Sequence, residues 1–188
     1  EQAILWTDIT RHKEQMEKVT AIVPELLASL KKAREGSGFQ VNANGATAQD
    51  LDLPTKIYAS LGEETRVLLA SFLLHVADIS NPGRDWATCE RWAGLVMHEF
   101  FSQGDLEKKL GLPVSMNCDR SKVLVPFAQI GFGKFVIRDL YELLSQTHHT
   151  GGNYLLTNFE KNQMKWQTIE EEVKSSGKPY SIKYEPPT

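Results

Sequence analysis

Cysteine is scarce in this sequence: Cys89 and Cys118 are the two in 188 residues. That is too few for a disulfide framework, and they form no CxxC metal or redox pair. Such usage suits a reducing compartment, so a cytoplasmic location is expected. Long apolar runs are missing as well. Nothing approaches the roughly 20 consecutive apolar residues of a membrane span. The opening "EQAILWTDITRHKEQ" has no signal-peptide anatomy. Excess positive charge is also absent, since Lys+Arg 21 stand against Asp+Glu 24 for a formal net charge of −3, with the basic residues dispersed. That distribution argues against a nucleic-acid partner. The five histidines (His12, His75, His98, His148, His149) include no HExxH, no HNxxH and no His-Asp dyad. A phosphate-cradling glycine loop and a nucleophile with a recognisable base are likewise lacking. The chain has no initiator methionine and opens on Ala3-Ile4-Leu5-Trp6, which reads as entry into the middle of something larger.

What is present is ordinary globular material, 41% hydrophobic and 24% charged, enough for the core of one domain. From Asp8 to about Lys32, apolar residues recur at helical spacing, with Asp8 or Thr10 as N-cap. "AREGSGFQVNANGATAQDLDLPTK" is too polar and aperiodic for a core element, so a surface loop is expected at about 34–60. "EETRVLLASFLLHVADI" carries acids in its first turn and stops at Asn81-Pro82, as a helix should. Trp86, Cys89, Trp92, Val96 and Phe100 continue a three-to-four repeat, predicting an amphipathic helix of five turns. "SQGDLEKKLGLPVSMNCD" reads as a turn-rich connection ending at Asp119, the expected N-cap of a helix running to about Leu144. "QTHHTGGN" reads as another break, with His148 and His149 in solvent, before a last helix from about Tyr154 to Val173. Residues 176–188 form a tail expected to be ordered only if it packs on a neighbour. No alternating strands are seen, so the expected class is all-α, with one domain over 1–175.

Two places carry unusual polar groups. Asp78 closes an apolar helix with His75 three residues earlier, hence on one helical face. A buried carboxylate must be protonated, paired or metal-bound. By spacing alone, a satisfied polar pair is the plainer reading than a metal ligand. In "VPFAQIGFGKF", Gln129 interrupts an apolar face with Phe132 one turn on. A carboxamide beside an aromatic ring can grip a planar heteroaromatic by edge hydrogen bonds and stacking, while a core Gln bonded to a backbone carbonyl is the plainer alternative. Trp92, Val96, Met97 and Phe100 form a stripe that could wall a cleft or simply pack helix on helix.

Taken in order, "TDITRH", "HVADISNP", "ERWAGLVMHEFFSQGD", "GLPVSMNCDR", "AQIGF" and "NQMKW" resemble the C-terminal half of the catalytic domain of class I 3',5'-cyclic-nucleotide phosphodiesterases. The resemblance implies part of a compact, HD-type multi-helix bundle. Its implied cofactors are two divalent cations, zinc and magnesium with manganese as an alternative, which activate the water that attacks the cyclic phosphate. It implies that Asp78 is a ligand of the tighter metal and that His75, Thr7 and Asp8 lie around the metal cavity. Gln129 would select the purine, Phe132 would clamp it, and Asn81, Ile79, Trp92, Val96, Met97 and Phe100 would line the same pocket. The general-acid histidine and the other ligands would come from an upstream half with no counterpart here, so no catalytic residue is assigned within this segment. Alone it is expected to be inactive. Against the family pattern, Gly133 then Lys134 follow Phe132 where Ile is usual, Met116 replaces a usual Pro, and Cys89 and Ala93 take pocket positions often held by larger or polar residues. These departures leave the choice between cyclic AMP and cyclic GMP open, with Asn81 favouring cyclic AMP. The expected partners are the cyclic nucleotide and the remainder of the catalytic domain, and a homodimer is compatible with both. The competing reading is a non-catalytic helical module that binds a purine nucleotide or a protein.

Overall fold

A computed structural model describes residues 8–36, 57–178 and 180, apart from the side chains of 30 and 33–36. Thr7, most of the expected 34–60 loop and the end of the tail lie outside these residues. Six α-helices account for most of the described chain: α1 His12–Gly36, α2 Glu63–Asp78, α3 Trp86–Lys109, α4 Val125–Phe132, α5 Arg138–Thr147 and α6 His149–Ser176. No strand occurs among the described residues, in agreement with the all-α expectation.

The helix starts follow local chemistry. Asp8 accepts from the Thr10 N–H at 2.9 Å and caps a 3-10 turn, Ile9–Arg11, that leads into α1. Asp85 caps α3 by accepting from the Thr88 N–H at 3.0 Å and its hydroxyl at 2.7 Å. Between α2 and α3, the 3-10 turn Asn81–Gly83 places Pro82 where its missing N–H costs no helical bond.

The chain forms two compact units. One comprises the described residues up to Asp78 with Gln146–His149. Its core takes Val19, Val23 and Leu26 from α1 and Leu69, Phe72 and Val76 from α2, together with Ile57. The other comprises Ile79–Ser145 and the described residues from Thr150 onward. There Met97 and Phe101 of α3 pack on Val125 of α4, and fully buried Trp166 lies 4.9 Å from Trp86 and 5.7 Å from Tyr180 between ring centroids. Tyr180 also donates to Glu90 at 2.8 Å, so the described part of the tail packs, as a tail must if it is to be ordered.

Several expectations require correction. Helix α3 runs through Lys109, well into the stretch read as a turn-rich connection. Gly104, within the stretch read as a turn-rich connection, sits inside this helix, and the Cys118 carbonyl occupies the space a Cβ would need there. Asp119 is not a helix cap. It organises a turn by accepting from the Ser121 N–H at 3.0 Å and pairing with Lys108 at 2.6 Å, while Leu124 stands at the N-terminal boundary of α4 with no side-chain capping bond. Helix α6 begins at His149, so Gly151-Gly152 lie in a helix. Gly152 is needed there because the Ser145 backbone presses against it. His148 is half-buried, 2.7 Å from the Tyr58 hydroxyl and stacked on that ring, where solvent exposure was expected.

Candidate functional site

The expected metal-side residues lie in the first unit. His75 is fully buried in α2, and its Nε2 is 2.9 Å from Nδ1 of His12, the first residue of α1. Burial lowers the pKa of His75, and the neighbouring His12 adds to that effect while Asp78 opposes it. Its Nδ1 is buried without a hydrogen-bond partner among the described residues. Gln15, one turn along α1 from His12, is also fully buried, and neither of its amide atoms has a partner among the described residues. Leaving such groups unpaired costs about 1–3 kcal/mol each, so the α1–α2 seam holds more polar capacity than its fold uses.

Asp78 is exposed, in contrast to the buried carboxylate anticipated from its apolar neighbours. The reason is geometric. Helix α1 starts level with His75 through the His12 contact, the residues before it (Asp8, Ile9, Thr10) are themselves exposed, and α2 ends at Asp78. Asp8 is held below the usual carboxylate range chiefly by the Thr10 N–H it accepts from, helped by the Thr10 hydroxyl. Among the described residues, no three His, Cys, Asp or Glu side chains come together in a way that could hold a metal. A cation centre needs about three protein ligands, so the described donors do not by themselves fit one.

The expected purine-side residues lie in the second unit. Gln129 and Phe132, three apart on α4, share a face and are both half-buried. The side-chain amide of Gln129 makes no hydrogen bond within the described structure, so it is not the carbonyl-bonded core glutamine of the plainer reading. Directly after Phe132 the helix widens into a π-turn, Gly133–Ile137, before α5. Such turns often accompany functional sites. Asn81 and Ile79 are half-buried near the 3-10 turn, and the Ile79 carbonyl accepts from the Tyr141 hydroxyl at 3.2 Å. The α3 stripe divides. Met97 is core at 2% exposure, Val96 and Phe100 are half-buried, and Trp92 is 50% exposed.

Sequence reasoning missed two supporting side chains inside "NQMKW". Asn162, only 3% exposed, donates to the carbonyls of Pro82 at 2.9 Å and Arg84 at 2.8 Å, tying α6 to the 3-10 turn. Gln163 donates to the Gln129 carbonyl at 3.4 Å. A polar pair preceding a buried Trp on a long helix was the available signal.

The family model for 3'5'-cyclic nucleotide phosphodiesterase matches residues 1–159. The chain belongs to this family. Among curated phosphodiesterases it is similar to the dual specificity calcium/calmodulin-dependent 3',5'-cyclic nucleotide phosphodiesterase 1B of Bos taurus, 48% identical over 75 residues, or 40% of this chain and 14% of that protein. It is also similar to the 3',5'-cyclic-AMP phosphodiesterase, isoform F, of Drosophila melanogaster, 33% identical over 104 residues, or 55% of this chain and 16% of that protein. Its fold is similar to that of LmjPDEB1, solved in complex with IBMX, with a TM-score of 0.67 at 23% identity over 90% of this chain and 42% of that one. The phosphodiesterase domain of Salpingoeca rosetta rhodopsin phosphodiesterase gives a TM-score of 0.66 at 23% identity over 93% of this chain and 45% of that one. The chain therefore spans less than half of these solved phosphodiesterases, and the matched stretch is a small part of the curated ones.

Proposed function

We propose that the chain is part of an enzyme that hydrolyses a 3',5'-cyclic nucleotide, cyclic AMP or cyclic GMP, to the 5'-monophosphate in cytosolic signalling. The observation that carries this reading is the family match over residues 1–159. In the net reaction, a water oxygen adds to phosphorus, the bond from phosphorus to the ribose 3'-oxygen breaks, and that oxygen takes up a proton. Gln129 offers both a donor and an acceptor to the purine edge, and Phe132, on the same face, offers a ring to stack on it. Asn81, Ile79, Val96, Phe100 and Trp92 line the base pocket, with Met97 supporting it from the core.

Asp78 contributes one carboxylate toward divalent cations, zinc and magnesium or manganese, with His75 and Asp8 as supporting groups; Thr7, the other residue assigned to this side, lies outside the described residues. The remaining ligands and the general acid come from the remainder of the catalytic domain, so this segment alone is inactive. An exposed carboxylate at a helix end remains available to a cation without first breaking an internal ion pair, and Asp78 makes none within the described structure.

The test is hydrolysis of both cyclic nucleotides by the full-length protein that carries this segment. Turnover to the 5'-monophosphate, abolished by chelation and restored by added magnesium or manganese, is the expected result. Nucleotide binding without turnover would overturn the catalytic reading and favour the binding module.

A further inference from the structure

Gly133 is buried directly behind Phe132, and its missing side chain is replaced from across the unit. A Cβ built at this position would overlap the carboxamide of Gln163, its nitrogen most closely. That same nitrogen donates to the backbone carbonyl of Gln129 at 3.4 Å. The Gln129 carbonyl already accepts from the Gly133 N–H, which it shares with the Ile130 carbonyl. A carbonyl oxygen has two lone pairs, and the Gln163 amide takes the second one at the point where regular helix gives way to the π-turn. Gln163 is itself well anchored, because its neighbour Asn162 bonds two carbonyls and Trp166, one turn on, is fully buried.

We infer that Gln163 is a positioning residue for the purine grip: by lying in the space left open at Gly133 and bonding the Gln129 carbonyl, it fixes the backbone from which Gln129 and Phe132 project. This rests on the proposed role of those two side chains. Gln163 does not touch the base. It acts by holding the turn that aims the two groups that do, in the way a supporting hydrogen bond fixes a metal ligand or catalytic side chain. Glycine at 133 and glutamine at 163 form one device, since any larger residue at 133 must displace the carboxamide.

The experiment is steady-state kinetics on the full-length protein, with melting temperature as a control for folding. Gln163→Met keeps the packing volume and removes the donor, Gly133→Ala expels the carboxamide, and Gln129→Ala removes the grip itself. The expected result is a KM raised about three- to tenfold by either Gln163→Met or Gly133→Ala, with kcat and melting temperature nearly unchanged. The two together should have no greater effect than one alone, as residues acting through a single contact are non-additive. If Gln129→Ala raises KM while both Gln163→Met and Gly133→Ala leave it at the wild-type value, the positioning role is wrong and the purine reading stands. Should Gln129→Ala itself leave KM unchanged, the purine reading falls and takes this inference with it.

Discussion

Replacing Asn162 with Ala removes a two-pronged clamp, and its cost can be worked from the contacts. The Asn162 amide donates to the Pro82 carbonyl at 2.9 Å and to the Arg84 carbonyl at 2.8 Å, from a side chain only 3% exposed. Each bond contributes about 0.5–1.5 kcal/mol net, and a buried acceptor left unpaired costs about 1–3 kcal/mol. Of the two bonds, the one to Pro82 is fully buried and the one to Arg84 partly so. The expected loss is therefore about 2–4 kcal/mol, a large fraction of the stability of an ordinary domain. Asn162→Asp keeps the shape but turns donors into acceptors facing two carbonyls, so it should cost at least as much. Urea unfolding followed by tryptophan fluorescence reads both variants, since Trp166 lies one turn from position 162 and is fully buried. A loss below about 0.5 kcal/mol for Asn162→Ala, the scatter typical of surface changes, would refute the reasoning.

Other outcomes follow from the same contacts. Gln15→Met should raise stability by about 1–3 kcal/mol, because it removes a fully buried carboxamide that has no partner among the described residues; an unchanged or lower melting temperature would show that the amide is satisfied in solution. Burial lowers the pKa of both His75 and His148, so the unfolded chain binds more protons than the folded one as pH falls below about 6.5, and stability present above that value is lost on acidification toward the lowered folded values. Melting temperatures at pH 7.5 and pH 5 check the sign, and a rise at the lower pH would contradict it. Burial also pushes the Cys89 thiol up to about 11. Its thiolate at pH 8 should be about a hundredfold scarcer than that of an ordinary thiol, and alkylation followed by mass spectrometry should label Cys89 only after unfolding.

Helix existence was legible because apolar spacing and end signals agree, as in α2, where Glu63 and Glu64 open and Asn81-Pro82 closes the pattern. Helix ends were less legible at glycines. Gly104 and Gly152 look like breaks in a one-dimensional reading, but each marks a close approach of another backbone, which only a three-dimensional neighbour reveals. Asp119 shows the same limit, since an aspartate before an apolar run suits either a helix cap or a turn, and Lys108 from the end of the preceding helix sides with the turn. Within the candidate site, the odd polar residues Asp78 and Gln129 stood out against apolar surroundings. Their supports did not, because Asn162 and Gln163 are ordinary helix residues until the carbonyls of Pro82, Arg84 and Gln129 are brought beside them. The exposure of Asp78 was hidden for a related reason: apolar neighbours in sequence do not cover a side chain that lies past the point where the helix packed alongside begins.

The role given to Asp78 is tested most directly by the hydrolytic kcat/KM of the full-length protein carrying Asp78→Ala. Residues that merely support a metal ligand already cost about 10–100-fold when changed, so loss of a ligand itself should lower kcat/KM by at least about 100-fold, with the melting temperature little altered at this exposed position. Wild-type kcat/KM in that variant would contradict the account.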